Sequence, residues 1–348
     1  EAIDVDRLAG EGTRFSRYFV NAPVCMPSRA SYLTGQYPSQ LRAYSNGIPL
    51  PEDTETLATM LGARGYHTAN MGKLHFLPHA DRDHSKRHPD YGFDELAVSD
   101  EPGCYEDAYR AWVRSEAPEQ LDDVSVGLPP ATETWQSVMG ADDIIHPEER
   151  FPKRPVPFAA DDDLTHTAFV AERTIEYLDE HADDRFCCVA GFYSPHSPWV
   201  VPQRFLDLYD PAAFDIPDYP DHVEAERPEG RFTEDERRAA RHGYYAMVSE
   251  VDYHVGRILD ELDALGIAEE TLVVFTSDHG ELLGEHAGYG KGWPCSDSIT
   301  RVPMLLRWPG EVPAGETVEG IAEAVDLVPT LLDAVEIQRP PHLLGDSL

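Results

Sequence analysis

Apolar positions recur at helical spacing in three stretches of the chain. "DTETLATMLGARG" (53–65) has an acidic start, apolar residues on one face and a closing glycine, the marks of a short helix. "LTHTAFVAERTIEYLDEH" (164–181) and "DERRAARHGYYAMVSEVDYHVGRILDELDALG" (235–266) are longer and amphipathic. Short apolar runs stand among them: "HTANMG" (67–72), "RFCCVAGFY" (185–193) and "TLVVFTS" (271–277). Each is bounded by polar residues and predicts a buried strand. Helix alternating with strand predicts an α/β fold, a mostly parallel central sheet sandwiched by helices. From about 100 to 160 the pattern fades into Pro- and Asp-rich sequence, which predicts surface excursions at the sheet edge or over a pocket. The opening "EAIDVDRLAGEGTRF" reads as a chain entered in mid-helix.

In an open α/β sheet, ligands bind beyond the carboxyl ends of the strands. There "GKLHF" follows the first run, "SPHSPW" the second and "DHGE" the third. Lys73 and His75, two apart, share one side of an extended segment. Such a lysine is a point charge for an anion, and such a histidine can orient or deprotonate a nucleophile. His196, in a loop stiffened by prolines, suits a general acid for a leaving oxygen. Asp278 beside His279 joins a hard oxygen donor to an imidazole, a pair suited to a divalent cation. Lys291 stands between glycines, a flexible approach for a cation to an anion. Taken singly, each has a plain structural reading: an exposed lysine, a core histidine, an aspartate capping a turn. Asn46, before Gly47, reads as a turn residue.

"NAPVCMPSRASYLTGQYP" (21–38) places Cys25 where a helix begins, with Pro27 in its first turn and Gly35 at its end. A helix mouth favours an anion. A cysteine-phosphatase loop needs arginine six positions after its nucleophile; Ser31 stands there and the arginine is Arg29, so that reading fails. A thiolate nucleophile and a cysteine that is the precursor of another group both remain open.

Composition narrows the setting. The chain carries 64 acidic against 28 basic residues, a net charge of −36 that repels nucleic acid and anionic membranes. No apolar run reaches membrane-spanning length. Lysine occurs only at 73, 86, 153 and 291, and an acid-rich, lysine-poor surface is the halophilic pattern, so a high-salt cytoplasm is the expected setting. Cys25, Cys104, Cys187, Cys188 and Cys295 form no C-x-x-C pair, which fits a reducing compartment better than a disulfide framework.

"CMPSRASYLTG" matches the C-x-P-S-R-x-x-x-x-T-G signature of type I sulfatases, and "GKLHF", "SPHSPW", "SDHGE" and "GKGW" follow in family order. The chain therefore resembles the formylglycine-dependent sulfatases of the alkaline-phosphatase-like superfamily. The resemblance implies one catalytic domain over 1–348, with a Pro/Asp-rich insertion at about 100–160 and the smaller C-terminal subdomain largely missing. It implies that a formylglycine-generating enzyme oxidises Cys25 to an aldehyde, whose hydrate attacks a sulfate ester with support from Arg29. Asp278, His279 and the converted Cys25 would hold Ca²⁺, with Mg²⁺ or Mn²⁺ as alternatives. Lys73 and Lys291 would neutralise sulfate oxygens, His75 would hold the hydrate, and His196 would contact sulfate or protonate the leaving oxygen. Asn46 resembles a substrate-binding asparagine of the choline-sulfatase and phosphonate-hydrolase branches. The implied substrate is a small-molecule or carbohydrate sulfate ester.

Three departures stand out. No strand with paired aspartates precedes Glu1, Asp278 is followed by His279 where many relatives have Asn, and the family's C-terminal antiparallel subdomain is largely absent. The expectation is a chain truncated at both ends. Two other functions fit the same residues: a phosphonate monoester or phosphodiester hydrolase, and a non-catalytic binder of sulfated ligands. The Lys73/His75 pair is the sulfatase form, where the phosphonate branch tends to carry neutral hydroxyl residues.

Overall fold

A computed structural model describes residues 3–79, 87–127, 144, 154–216, 233–293 and 295–348. Helix α1 (Ile3–Glu11) leads into strand β1 (Thr13–Phe19), which delivers the chain to α2 (Cys25–Thr34). Gly35 ends α2 in the left-handed conformation, as its place in the sequence predicts. Helix α3 (Leu57–Gly62) starts four residues later than the acidic run suggests, because the Thr56 side chain caps it by accepting the Thr59 N–H. Strands β2 (His67–Gly72) and β3 (Glu95–Val98) precede α4 (Ala108–Glu116) and the two-residue β4 (Val156–Pro157). Then come α5 (His166–Glu180), β5 (Phe186–Gly191), the short β6 (Val200–Val201) and the long α6 (Glu234–Ala264). A reciprocal capping box between Thr233 and Glu236 opens α6. The remainder is β7 (Val273–Thr276), β8 (Met304–Arg307), β9 (Glu316–Glu323) and α7 (Leu327–Ala334).

Strand β2 lies parallel between β3 and β5, and a second sheet runs in the order β7-β8-β1-β9. There β1 pairs parallel with β9, while β8 runs antiparallel to both β1 and β7. Strand β8 shows how both faces are covered. Its Leu305 packs with Leu8 of α1, Leu178 of α5 and Leu259 and Leu262 of α6. Its neighbours Met304 and Leu306 point the other way, packing with Phe15, Tyr18 and Leu327. Helix α3 buries Leu57, Met60 and Leu61 against Val328 and Leu332 of α7. The fold is the α/β sandwich that the helix–strand alternation predicts.

The faded stretch after residue 100 differs from its reading as surface excursions over its first part. Tyr105, Tyr109, Val113 and Val124 are fully buried, and Tyr109 and Val113 of α4 pack on Phe169 of α5. Aromatic residues among the polar ones let this segment form its own layer. Residues 128–143 and 145–153 of that stretch lie outside the described residues, as do Lys86 and Lys153.

Candidate active site

Four segments meet at the carboxyl ends of β2, β5 and β7 and the first turn of α2. Gly72 and Gly191 end β2 and β5, and the Gly191 carbonyl accepts the Lys73 N–H at 2.7 Å. A Cβ on Gly191 would overlap the Lys73 carbonyl, so only glycine permits this approach. The approach aims that carbonyl at Arg29, whose Nη1 donates to it at 2.7 Å. Arg29 Nε donates to Asp278 Oδ2, also at 2.7 Å, in a pair buried on both sides. Arg29 is thus the tie between α2, the β2 end and the β7 end, only 6% exposed. Burial by itself would raise the Asp278 carboxyl, but His279 and Arg29 outweigh it and hold the group well below the usual carboxylate range.

Cys25 is the first residue of α2 and is 1% exposed. Lys291 Nζ donates to its Sγ at 2.8 Å, and His279 Nε2 lies 3.2 Å from the same sulfur. Burial would push the thiol up, yet Lys291, Lys73 and His279 together hold it well below its ordinary value. Lys73 is itself buried, with its ammonium 4.9 Å from the centre of the Tyr193 ring, and burial, Arg29 and Lys291 lower its affinity for its proton. His196 lies close enough to Cys25 to interact with it and is pulled down to about 4 by burial and by Lys291 and Lys73. Its Nδ1 donates to the Ser197 carbonyl at 2.5 Å, which leaves Nε2 as an acceptor. Arg29, Lys73 and Lys291 therefore gather around Cys25 and Asp278 in a molecule whose net charge is −36. Such a cage selects an anion.

Asn46 and His75 stand one layer back. Asn46 Oδ1 accepts the Met26 N–H at 3.0 Å, capping α2 from outside the helix because Val24 has no side chain able to do so. Asn46→Ala is expected to cost about 1 kcal/mol of stability, read as a lower urea midpoint at unchanged slope. The His75 ring packs 4.4 Å from His79, and its buried Nδ1 has no hydrogen-bond partner among the described residues.

Three contributors have no place in the motif reading. Asp100 accepts the Leu74 and His75 N–H groups at 2.9 and 2.8 Å and so fixes the Lys73–His75 turn. Tyr32, three residues beyond Arg29 on α2, is raised by burial and interacts with Arg29. Tyr193 packs under Lys73, and its hydroxyl donates to the Ser197 carbonyl at 2.8 Å. A carboxylate just past a strand, as at Asp278, was the available signal for Asp100. Trp199 is buried against α6 as a loop anchor, whereas Trp293 is 83% exposed.

One donor atom each from Cys25, Asp278 and His279 lies within 4.8 Å of the others, close enough to share an ion. With Oδ2 of Asp278 given to Arg29, this set offers a single carboxylate oxygen and one imidazole beside residue 25. It fits a divalent cation that keeps water or substrate oxygens in its remaining positions.

The family model described as Sulfatase matches residues 2–337. The multifunctional alkaline phosphatase superfamily protein of Trinickia caryophylli is 31% identical, over 99% of this chain and 70% of its own length. An ulvan-active sulfatase of Formosa agariphila is 29% identical, over 99% of this chain and 58% of its own. Among solved structures, a phosphonate monoester hydrolase of Silicibacter pomeroyi superposes with a TM-score of 0.80 at 26% identity, covering 100% of this chain and 71% of that one. The chain spans 58% to 71% of the lengths of these three proteins.

Proposed function

The chain belongs to the sulfatase family of the alkaline-phosphatase-like superfamily, and from that premise we propose that it hydrolyses a sulfate ester at the mouth of α2. The observation that carries the reading is the cage around Cys25: a buried residue at a helix start, contacted by Lys291 and His279 with Lys73 and His196 beside them. Formylglycine at position 25 would supply a hydrated aldehyde as nucleophile, and a divalent cation, Ca²⁺ first, would supply Lewis-acid charge beside it. Asp278 and His279 would hold the cation.

The remaining work belongs to side chains already in position. Lys73 and Lys291 bind sulfate oxygens and stabilise the charge that grows on them as the ester bond breaks. Arg29 keeps Asp278 ionised and oriented, and Asp100 keeps Lys73 in register. His196 is neutral as it stands, because burial and the two lysines oppose its charge. A bound sulfate ester offsets those lysines, so the substrate itself favours the protonated form that donates to the leaving oxygen. The ulvan-active relative supports a carbohydrate ester, and exposed Trp293, two residues from Lys291, offers a flat apolar face for a sugar.

A second reading rests on the likeness to the phosphonate monoester hydrolase. Parallel assays on an aryl sulfate and an aryl phosphonate monoester, with protein from a host that makes formylglycine, separate the two. Faster hydrolysis of the sulfate is expected, together with a hydrazide-trappable aldehyde on the tryptic peptide YFVNAPVCMPSR. Preference for the phosphonate would transfer the assignment to the second reading. Absence of turnover with the aldehyde present would leave a binder of sulfated ligands.

A further inference from the structure

At the opposite end of β2 a second group of metal-ligating side chains converges. His67 opens β2, Glu95 opens β3, and His181 caps the carboxyl end of α5. The six residues of β2 separate this group from the Lys73 end by about 20 Å. His67 Nε2 lies 3.8 Å and His181 Nε2 3.1 Å from Glu95 Oε1, and one donor atom from each residue lies within 4.8 Å of the others. Tetrahedral coordination at bond lengths near 2.1 Å puts neighbouring donors about 3.4 Å apart, between these two distances.

The outer nitrogens are already committed. The Tyr177 hydroxyl donates to the His67 carbonyl at 2.9 Å, so at 3.1 Å it can only accept from His67 Nδ1. His181 Nδ1 donates to Asp184 Oδ2 at 2.8 Å. Both imidazoles are thereby set with Nε2 turned toward Glu95, the arrangement in which an outer partner fixes the tautomer of a metal-binding histidine. His181 Nε2 donates to Glu95 Oε1 at 3.1 Å, and a cation seated between the two rings and the carboxylate would take the place of that proton. The carboxyl end of a fifteen-residue helix favours the same sign.

We propose that His67, Glu95 and His181 form a three-ligand site for a borderline divalent cation of the Zn²⁺ class, with a fourth position open to water. Two imidazoles and one carboxylate suit Zn²⁺ better than Ca²⁺, which seeks six to eight oxygens. Side chains 30%, 41% and 16% exposed leave the ion a path from solvent. The rings now stack with centroids 4.0 Å apart, and meeting one ion requires them to splay by rotation about the soft ring-bearing bond. The bound ion clamps the ends of β2, β3 and α5 behind the sheet that carries Lys73.

Equilibrium dialysis of the full chain against Zn²⁺ alone, in the Cys25→Ala background to remove the thiolate at the other centre, tests this. One equivalent is expected at this site and is expected to be lost, or weakened at least tenfold, in each of His67→Gln, Glu95→Gln and His181→Gln. Asp184→Asn should weaken it by roughly 10- to 100-fold while leaving all three ligands in place. Zn²⁺ should also raise the melting temperature of the parent and not that of His181→Gln, which controls for folding. Unchanged Zn²⁺ stoichiometry and affinity in folded His67→Gln and His181→Gln would overturn the site.

Discussion

Turnover of a sulfate ester by the Cys25→Ala protein is expected to fall on the order of 10⁴-fold or more, while Cys104→Ala keeps the parental rate. The two residues make a matched pair because both are buried cysteines. Cys25 sits against Lys291 and His279, whereas the Cys104 thiol donates to the Gly127 carbonyl at 2.9 Å inside an apolar cluster. Alanine at 25 keeps the helix and the lysines but removes the side chain that Lys291 contacts. Binding of the ester should survive, so the loss should fall on kcat with little change in the inhibition constant of free sulfate. Equal rates for the two variants would remove position 25 from the chemistry and with it the proposed mechanism.

Glu250→Gln is expected to make the protein more stable above neutral pH, by about 3 kcal/mol at most. Glu250 lies on α6, fully buried, beside a cavity lined by His166, Thr167, Tyr193, Ser194 and Met247. Among the described residues its Oε1 has no hydrogen-bond partner, and burial pushes its carboxyl up to about 7 against Thr165 and Thr167, from an ordinary 4.5. Between those two values the folded protein holds a proton that the unfolded chain has released. Stability contributed by the neutral form is therefore complete below about 4.5 and is lost as pH rises through about 7. The difference between the two values sets the magnitude, at about 1.4 kcal/mol per pKa unit. Urea unfolding of parent and variant at pH 5 and pH 8 reads the effect as a difference of differences. The same pH dependence in both proteins would contradict it. The consequence reaches the site, because Thr167 also bonds Ser194 at 3.1 Å, at the root of the His196 loop.

What the chain disclosed beforehand followed from burial. "HTANMG" is a strand to the residue, buried from Thr68 to Gly72 between β3 and β5, so that even Thr68 and Asn70 are enclosed. Strand β9, "ETVEGIAE", is almost wholly exposed and keeps its place by parallel pairing with β1, which no local pattern announces. Strand β1 itself alternates Phe15 and Tyr18 with Arg14 and Arg17, and its register shifts between Phe15 and Arg17, so its period is blurred. At the site, Cys25, Lys73, His196, Asp278 and His279 were legible because each follows a strand or opens a helix, and Lys291 because it is one of four lysines and stands between glycines. Asp100 and Tyr193 were not, because their work is done through the Leu74 and His75 N–H groups, the Lys73 ammonium and the Ser197 carbonyl. The position of a residue in the chain marks where a ligand is touched. It does not mark what holds the touching group still.

The burial of Cys25 carries a consequence in time. A side chain 1% exposed at the start of a packed helix is closed to a modifying enzyme once the fold is complete. Its cover is remote: Lys291, which seals the sulfur, lies 266 residues further along. At roughly 5 to 20 residues per second of synthesis, the ribosome takes on the order of 13 to 53 s to cross that gap. Throughout that interval the segment around Cys25 is in the cell without the groups that will enclose it. On the proposed mechanism, conversion of the cysteine would be a race against translation, and a host that elongates faster should yield a larger share of permanently unconverted protein.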